Sequence, residues 1–387
     1  MNSSKLHIHG QGVVIFEITS TVKGVIRVLN ERLDGFRVEF MKGSILVNRI
    51  GALEPLIDHK NVKGLSPHNG AYYWVSLDSQ NQTILAGVGE PRLDTVAYSY
   101  KWNMADGNRE KNKIFLESLV ALELEDVKIL RILRDPVTGD VPLAVKDSSQ
   151  LTMTDVARGN VVPSANLSPM AQKLYNCISG KNFVLNDSDF PDFSKAIEYN
   201  IATVGCWCNT RLKEKSREFN KDKPNVKETY LRITLGQNNG ESPGVPYVME
   251  IWPVGHYSPI HNHGGSEAVI RVLLGSIHVS LFPYLCGEPA GIPPFKEVSF
   301  KEGDVTWISP TLNQTHQLKN LKHNTSTCIT IQCYMYDEKN KTHYDYFDYI
   351  DSSGNKLQYE PDSDMEFLEF KERMRTEWNA RPRRWFC

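Results

Sequence analysis

The chain has 387 residues, 40% hydrophobic and 23% charged, with 44 Lys+Arg against 46 Asp+Glu and a formal net charge of −2. This balance fits a folded protein rather than a disordered one, and it supplies no electrostatic drive toward nucleic acid or an anionic membrane surface. No apolar run reaches the roughly 18 residues of a membrane span.

The opening Met1-Asn2-Ser3-Ser4-Lys5 lacks the apolar segment of a signal peptide. Seven cysteines, an odd number, do not form a fully paired disulfide framework. These features predict a cytoplasmic protein with reduced thiols, and the length predicts about two or three domains.

In chain order, residues 1–147 read as strands and turns. Runs such as Val13-Val14-Ile15-Phe16, Phe36-Arg37-Val38-Glu39-Phe40 and Tyr72-Tyr73-Trp74-Val75, separated by Gly, Asn and Asp, predict a β-rich, sandwich-like domain. The stretch 127–145 reads as a hairpin around Asp135-Pro136-Val137-Thr138-Gly139-Asp140. His7, His9, His59 and His68 show no metal-binding spacing and are expected in loops or on the surface.

Residues 148–167, rich in Ser, Thr, Asn and Asp, read as a linker to a C-terminal domain over 168–387. Ser168-Pro169 supplies an N-cap and a first-turn proline for a helix running to Ile178. A second helix follows Pro191, with Phe193, Ala196, Ile197 and Tyr199 as its apolar stripe. Residues 230–349 return to strands. A last helix, over 364–378, is expected to be capped by Ser363 and to carry Met365, Phe367, Leu368 and Phe370. Cys206-Trp207-Cys208 has no second Cys pair and reads as buried packing. His278 falls on a solvated strand face, and the basic tail from Arg381 to Arg384 reads as surface.

The informative stretch is Gly255-His256-Tyr257-Ser258-Pro259-Ile260-His261-Asn262-His263. Side chains at i and i+2 of a strand share a face, so His261 and His263 point the same way. His316 follows a turn at Pro310 that returns the next strand toward the first pair. Imidazole suits Fe, Zn, Cu or Ni, and three neutral histidines leave coordination positions open, as a catalytic site requires. His256 and Tyr257 flank the ligand strand and are expected at the pocket rim.

This run, followed by Gly303, Pro310 and His316-x3-Asn320, resembles the two-motif signature of cupins, which are small double-stranded β-barrels. Within cupins it is most similar to cysteine dioxygenase, over about residues 165–387; Arg271-Val272-Leu273-Leu274-Gly275 and Leu281-Phe282 also fit. The resemblance implies a C-terminal cupin barrel with flanking helices, Fe(2+) on His261, His263 and His316, O2 as co-substrate, and a small thiol, cysteine foremost, oxidised to cysteine sulfinic acid. Tyr230-Leu231-Arg232 matches the family's Tyr-x-Arg, whose arginine binds the substrate carboxylate. The guanidinium fork suits that task. Tyr334 matches the catalytic tyrosine near the iron, and Thr330, Gln332 and Tyr334 share one strand face toward the cavity.

Three departures from the family stand out. Ala268 occupies the position that in animal enzymes supplies a cysteine for a thioether to the tyrosine. Gln332 replaces a histidine and cannot titrate, which keeps 3-mercaptopropionate open as a substrate. Glu267, four residues after His263, is a candidate fourth ligand, as in other cupin enzymes. A metal-binding or sensing cupin without turnover is a further alternative. In the N-terminal half, Gly70-Ala71-Tyr72-Tyr73-Trp74-Val75-Ser76-Leu77-Asp78 is similar to stretches of β-sandwich accessory domains beside unrelated enzymes.

Overall fold

The computed structural model describes residues 4–50, 60–62, 65, 71–102, 107, 109–238, 245–285, 293–336 and 346–382. His59, His68, Arg383 and Arg384 lie outside the described residues. The chain divides into two compact units at Val141/Pro142; residues 282–285 and 293–295, from a later loop, cluster with the first. Among the described residues no helix is long and apolar enough to cross a membrane.

The first unit contains β1 (Ser4–Lys5), β2 (Gln11–Ile18), β3 (Lys23–Leu29), β4 (Gly35–Met41), β5 (Ser44–Ile50), β6 (Lys60–Asn61), β7 (Tyr72–Asp78), β8 (Thr83–Val88) and β9 (Val96–Lys101). Helix α1 (Arg109–Glu117), β10 (Ala121–Glu125) and β11 (Val127–Leu133) complete it. The strands form two sheets, β1-β10-β3-β4-β5-β6 and β11-β2-β7-β8-β9. Phe40 of the first sheet meets Phe16 and Tyr73 of the second at ring-centroid distances of 5.2 and 5.4 Å. The inward residues of both sheets thus make one apolar interior, the packing of a β-sandwich.

The hairpin expected over 127–145 does not form. β11 pairs with β2 instead, and β12 (Ala144–Lys146) pairs with strands of the second unit. The Asp135–Asp140 stretch therefore joins two strands that belong to different sheets.

Residues 148–167 are not a bare linker. They hold α2 (Met153–Arg158) and β13 (Val161–Pro163), which lies parallel to β12. Thr152 accepts from Asp155 N while the Asp155 carboxylate accepts from Thr152 N, a reciprocal capping box. Gly159, with φ +59, closes the helix. Thr152 and Asp155 are thus helix-capping residues, although their polarity reads as loop.

Helix α3 (Pro169–Ile178) has Ser168 as its N-cap and buries Ala171, Leu174, Tyr175 and Ile178, an i, i+3, i+4, i+7 stripe. Helix α4 (Phe193–Ala202) buries Phe193, Ala196, Ile197 and Asn200. Tyr199 is half-buried rather than on the core stripe, and meets Trp378 edge-on at 5.8 Å. Asn200 Oδ1 accepts from Cys208 N at 2.6 Å, at the start of α5 (Trp207–Glu214). Cys208 is buried against Met374 Sδ at 3.8 Å.

The strands that follow are β14 (Leu231–Asn238), β15 (Val245–Trp252), β16 (Ile260–His261), β17 (Glu267–Leu274), β18 (Ser276–Leu281) and β19 (Lys296–Lys301). Then come β20 (Val305–Ile308), β21 (His316–Lys319), β22 (Cys328–Met335), β23 (Phe347–Ile350), β24 (Lys356–Tyr359) and β25 (Met365–Glu366). They build two sheets, β13-β12-β20-β17-β22-β15-β14-β25 and β19-β18-β21-β16-β23-β24. The chain alternates between sheets from β15 to β18, so residues close in sequence face one interior from both sides.

The last helix, α6 (Phe367–Asn379), starts later than expected. Met365-Glu366 is taken up as β25, parallel to β14. Ser363 Oγ donates to Met365 O rather than capping a helix. Asp364 accepts from Arg211 Nε, Lys215 Nζ and Arg232 N at 2.8, 2.9 and 2.7 Å. Leu368 is exposed, and Phe370 and Met374 fill the buried face instead.

Candidate metal centre

β16 and β21 pair antiparallel with His261 opposite His316, and His263 follows two residues on. The three ring centroids are 4.7–5.0 Å apart, and one ligand nitrogen from each ring lies within 4.8 Å of the others. His261 is half-buried; His263 and His316 are buried.

Backbone carbonyls orient two of the rings. Pro259 O accepts from His261 Nδ1 at 3.0 Å, and Asn313 O accepts from His316 Nδ1 at 3.3 Å. A carbonyl can only accept, so Nδ1 carries the hydrogen in both and Nε2 keeps its lone pair. His263 Nδ1 is buried without a hydrogen-bond partner among the described residues, and its Nε2 lies 3.1 Å from His316 Nε2.

That spacing fits two nitrogens on one ion. Metal–nitrogen bonds of about 2.0–2.1 Å put neighbouring ligands roughly 2.9–3.4 Å apart. Burial holds the His261 imidazolium down, with its pKa lowered to about 4. Burial also lowers His263 and His316, and the adjacent rings lower them further. All three are therefore neutral at neutral pH and able to ligate, and the donor set fits a metal ion.

A cavity between the two sheets of this unit is lined by the three histidines together with Tyr230, Arg232, Glu250, Gln332 and Tyr334. Arg232 and Glu250 are cross-strand partners on β14 and β15, and Glu250 faces Thr330 of β22 on its other side. Arg232 Nη1 donates to Glu250 Oε1 at 3.1 Å. Gln332 Nε2 donates to Glu250 Oε2 and to Thr330 Oγ1, and the Tyr334 hydroxyl donates to Gln332 Oε1.

The carboxylate fixes the amide orientation in this chain. Glu250 can only accept, so the Gln332 NH2 must face it and its oxygen must face Tyr334. Burial raises the Glu250 carboxyl above the usual range, opposed by the Arg232 guanidinium and the Gln332 amide. Tyr230 stacks on Trp252 at 4.1 Å and forms an aromatic wall.

Glu250 is absent from the expectations drawn from sequence. The available signal is a single charge in the apolar run Val248-Met249-Glu250-Ile251-Trp252, on the strand face it shares with Trp252.

Other candidates fall elsewhere. Glu267 is outside the ligand group formed by the described residues; it accepts from Ser168 Oγ at the N-cap of α3 and sits opposite Met335. Ala268 lies directly opposite Tyr334 and has no sulfur to join it. His256 and Tyr257 do not line the cavity: His256 is buried with Nδ1 2.9 Å from Thr229 O, and the Tyr257 hydroxyl accepts from Asn225 at 2.9 Å. Asn320 is fully buried and donates to Trp252 O and Ser326 O, which ties the two motif segments together. His278 bonds Ser299 and Glu297 near the surface, and His7 and His9 are exposed.

No family model matches the chain. Similar solved structures include the cupin domain of Schizosaccharomyces pombe Cnp3, at 13% identity and TM-score 0.22, covering 28% of this chain and 65% of that one. The L-ribose isomerase of Acinetobacter sp. DL28 is similar at 12% identity and TM-score 0.23, covering 30% and 64%. A cupin superfamily protein from Desulfitobacterium hafniense is similar at 13% identity and TM-score 0.21, covering 28% and 79%. The chain spans less than two thirds of the length of the first two. Cupin-domain proteins recur among these likenesses, each over a minor part of this chain.

Proposed function

We propose that the second unit is an iron-dependent thiol dioxygenase that adds both atoms of O2 to the sulfur of cysteine, giving cysteine sulfinic acid. The observation that carries this reading is a cavity in which three neutral imidazoles converge, with no carboxylate in the described ligand group, beside a buried arginine and a tyrosine. The electrons balance: oxidising a thiol to a sulfinic acid removes four electrons, and the two oxygen atoms of O2 take up four. No further reductant is required.

Iron(II) on His261, His263 and His316 would supply a positive charge that favours the thiolate over the thiol and the redox chemistry for O2. The chain's own groups do the rest. Neutral ligands leave that charge undiminished. Arg232 still has donors beyond its bond to Glu250 and binds the substrate carboxylate, which places the sulfur and lowers the barrier by positioning. Tyr334, whose ring stacks on His263 at 5.8 Å, presents its hydroxyl oxygen beside the reacting sulfur. Phe347, 4.8 Å from the His263 ring, and Leu318 keep water away.

The test is oxygen uptake by iron-loaded protein given cysteine, 3-mercaptopropionate or cysteamine, with mass spectrometry for a gain of two oxygen atoms. Sulfinate from cysteine, lost in His261→Ala, is the expected outcome. No uptake with any thiol would leave a metal-binding cupin without this activity.

A further inference from the structure

Arg232 does not stand alone in the cavity. Its cross-strand partner Glu250 accepts one of its guanidinium bonds at 3.1 Å, and both residues are buried and line the cavity that holds the three histidines. Both carboxylate oxygens accept a hydrogen bond, one from Arg232 and one from Gln332, the pattern of an ionised carboxylate. The pair therefore carries no net charge, and a substrate meets a dipole where a lone arginine would present a cation.

This changes what the cavity selects. An isolated carboxylate approaching Arg232 also meets the Glu250 oxyanion a few ångströms away, and in a buried site the repulsion offsets much of the attraction. A group carrying both signs has no such conflict. Ionised oxygens have room for about four hydrogen bonds, so Glu250 retains capacity for a further donor.

We infer that Glu250 is a specificity-determining residue that binds the ammonium group of a zwitterionic thiol while Arg232 binds its carboxylate. The inference rests on the thiol dioxygenase reading for its sulfur, and refines it by naming the substrate class: a thiol amino acid rather than a simple thiol acid. An α-amino acid has its ammonium and carboxylate on one carbon, so a single head group spans the adjacent pair. The substrate amine then stays protonated on Glu250.

Cysteine and 3-mercaptopropionate differ only by the amino group, so their comparison isolates the ammonium. Binding of each to iron(II)-loaded protein under nitrogen, where no turnover occurs, is measured by calorimetry. In the wild type cysteine is expected to bind about tenfold or more tighter, the range for a hydrogen bond to a charged partner. In Glu250→Gln, which keeps the shape and removes the charge, the ratio is expected to fall toward one. Equal or tighter binding of 3-mercaptopropionate to the wild type overturns the inference, as does an unchanged ratio in a Glu250→Gln protein that melts like the wild type. Should that variant not fold, the ratio is read in Glu250→Asp, where drawing the charge back must lower it; no change there also overturns it.

Admitting oxygen then separates the two readings. Sulfinate formation with a ratio indifferent to Glu250 sinks the ammonium site and leaves the dioxygenase. Glu250-dependent binding of cysteine without sulfinate does the reverse.

Discussion

Both units are pairs of β-sheets, yet their interiors differ in kind. The first is filled by Phe16, Phe40, Tyr73 and their apolar neighbours. The second encloses three histidines, an arginine, a glutamate and a glutamine among aromatic residues in one cavity. Burying such groups costs free energy unless each is paired, and hydrogen bonds join Arg232, Glu250, Gln332 and Tyr334 in one row. The contrast teaches that a two-sheet interior can be closed by apolar packing alone or can carry a hydrogen-bonded polar row among its aromatic rings.

The largest expected effect is at the ligands. His261→Ala should weaken metal binding by more than about 100-fold, beyond the 10–100-fold typical of groups that merely support a ligand; metal content after dialysis checks it. Metal retained at wild-type stoichiometry would break the contrast outright.

The next test sets the two interiors side by side. Phe40→Ala should cost about 3–5 kcal/mol through the cavity it leaves. Arg232→Ala should cost about as much, but because Glu250 loses its buried counter-charge. Adding Glu250→Leu should recover most of the second loss and none of the first. Urea unfolding of the variants reads this, and failure of the double replacement to recover stability would mean that the pair does not act as a unit.

Acidity gives a smaller difference. With its folded pKa lowered to about 4, His261 is protonated in the unfolded chain before it is in the folded one. Stability of the metal-free second unit is present above about pH 6.5 and is lost as pH falls toward 4. Thermal melting in a chelator at pH 7 and pH 5 should show the drop, and saturating metal should oppose it. The smallest effect is Thr152→Ala, which should cost about 1 kcal/mol through loss of the capping box, with metal content unchanged.

Much of the histidine cluster was legible because it depends on local geometry. His261 and His263 share a face by the two-residue repeat of a strand, and one turn returns His316. Ser168-Pro169 likewise announces α3, since caps are properties of a few consecutive residues. Glu250 was legible only as a lone charge in an apolar run: its hydrogen bonds reach β14 and β22, 18 and 82 residues away. The same holds for 148–167, where Thr152 and Asp155 are polar like a loop until their reciprocal bonds are seen. The start of α6 was misplaced because Met365-Glu366 has a strand partner in β14 that no local signal names.

The glutamine in the Tyr334 chain has one more consequence. An amide pinned between a carboxylate and a phenol has no site at which to take up a proton and pass it on, so the hydrogen-bonded row from Tyr334 to Glu250 is an insulated line rather than a relay. Burial also holds the Tyr334 hydroxyl far above the usual phenol range, so the phenol stays in its neutral form.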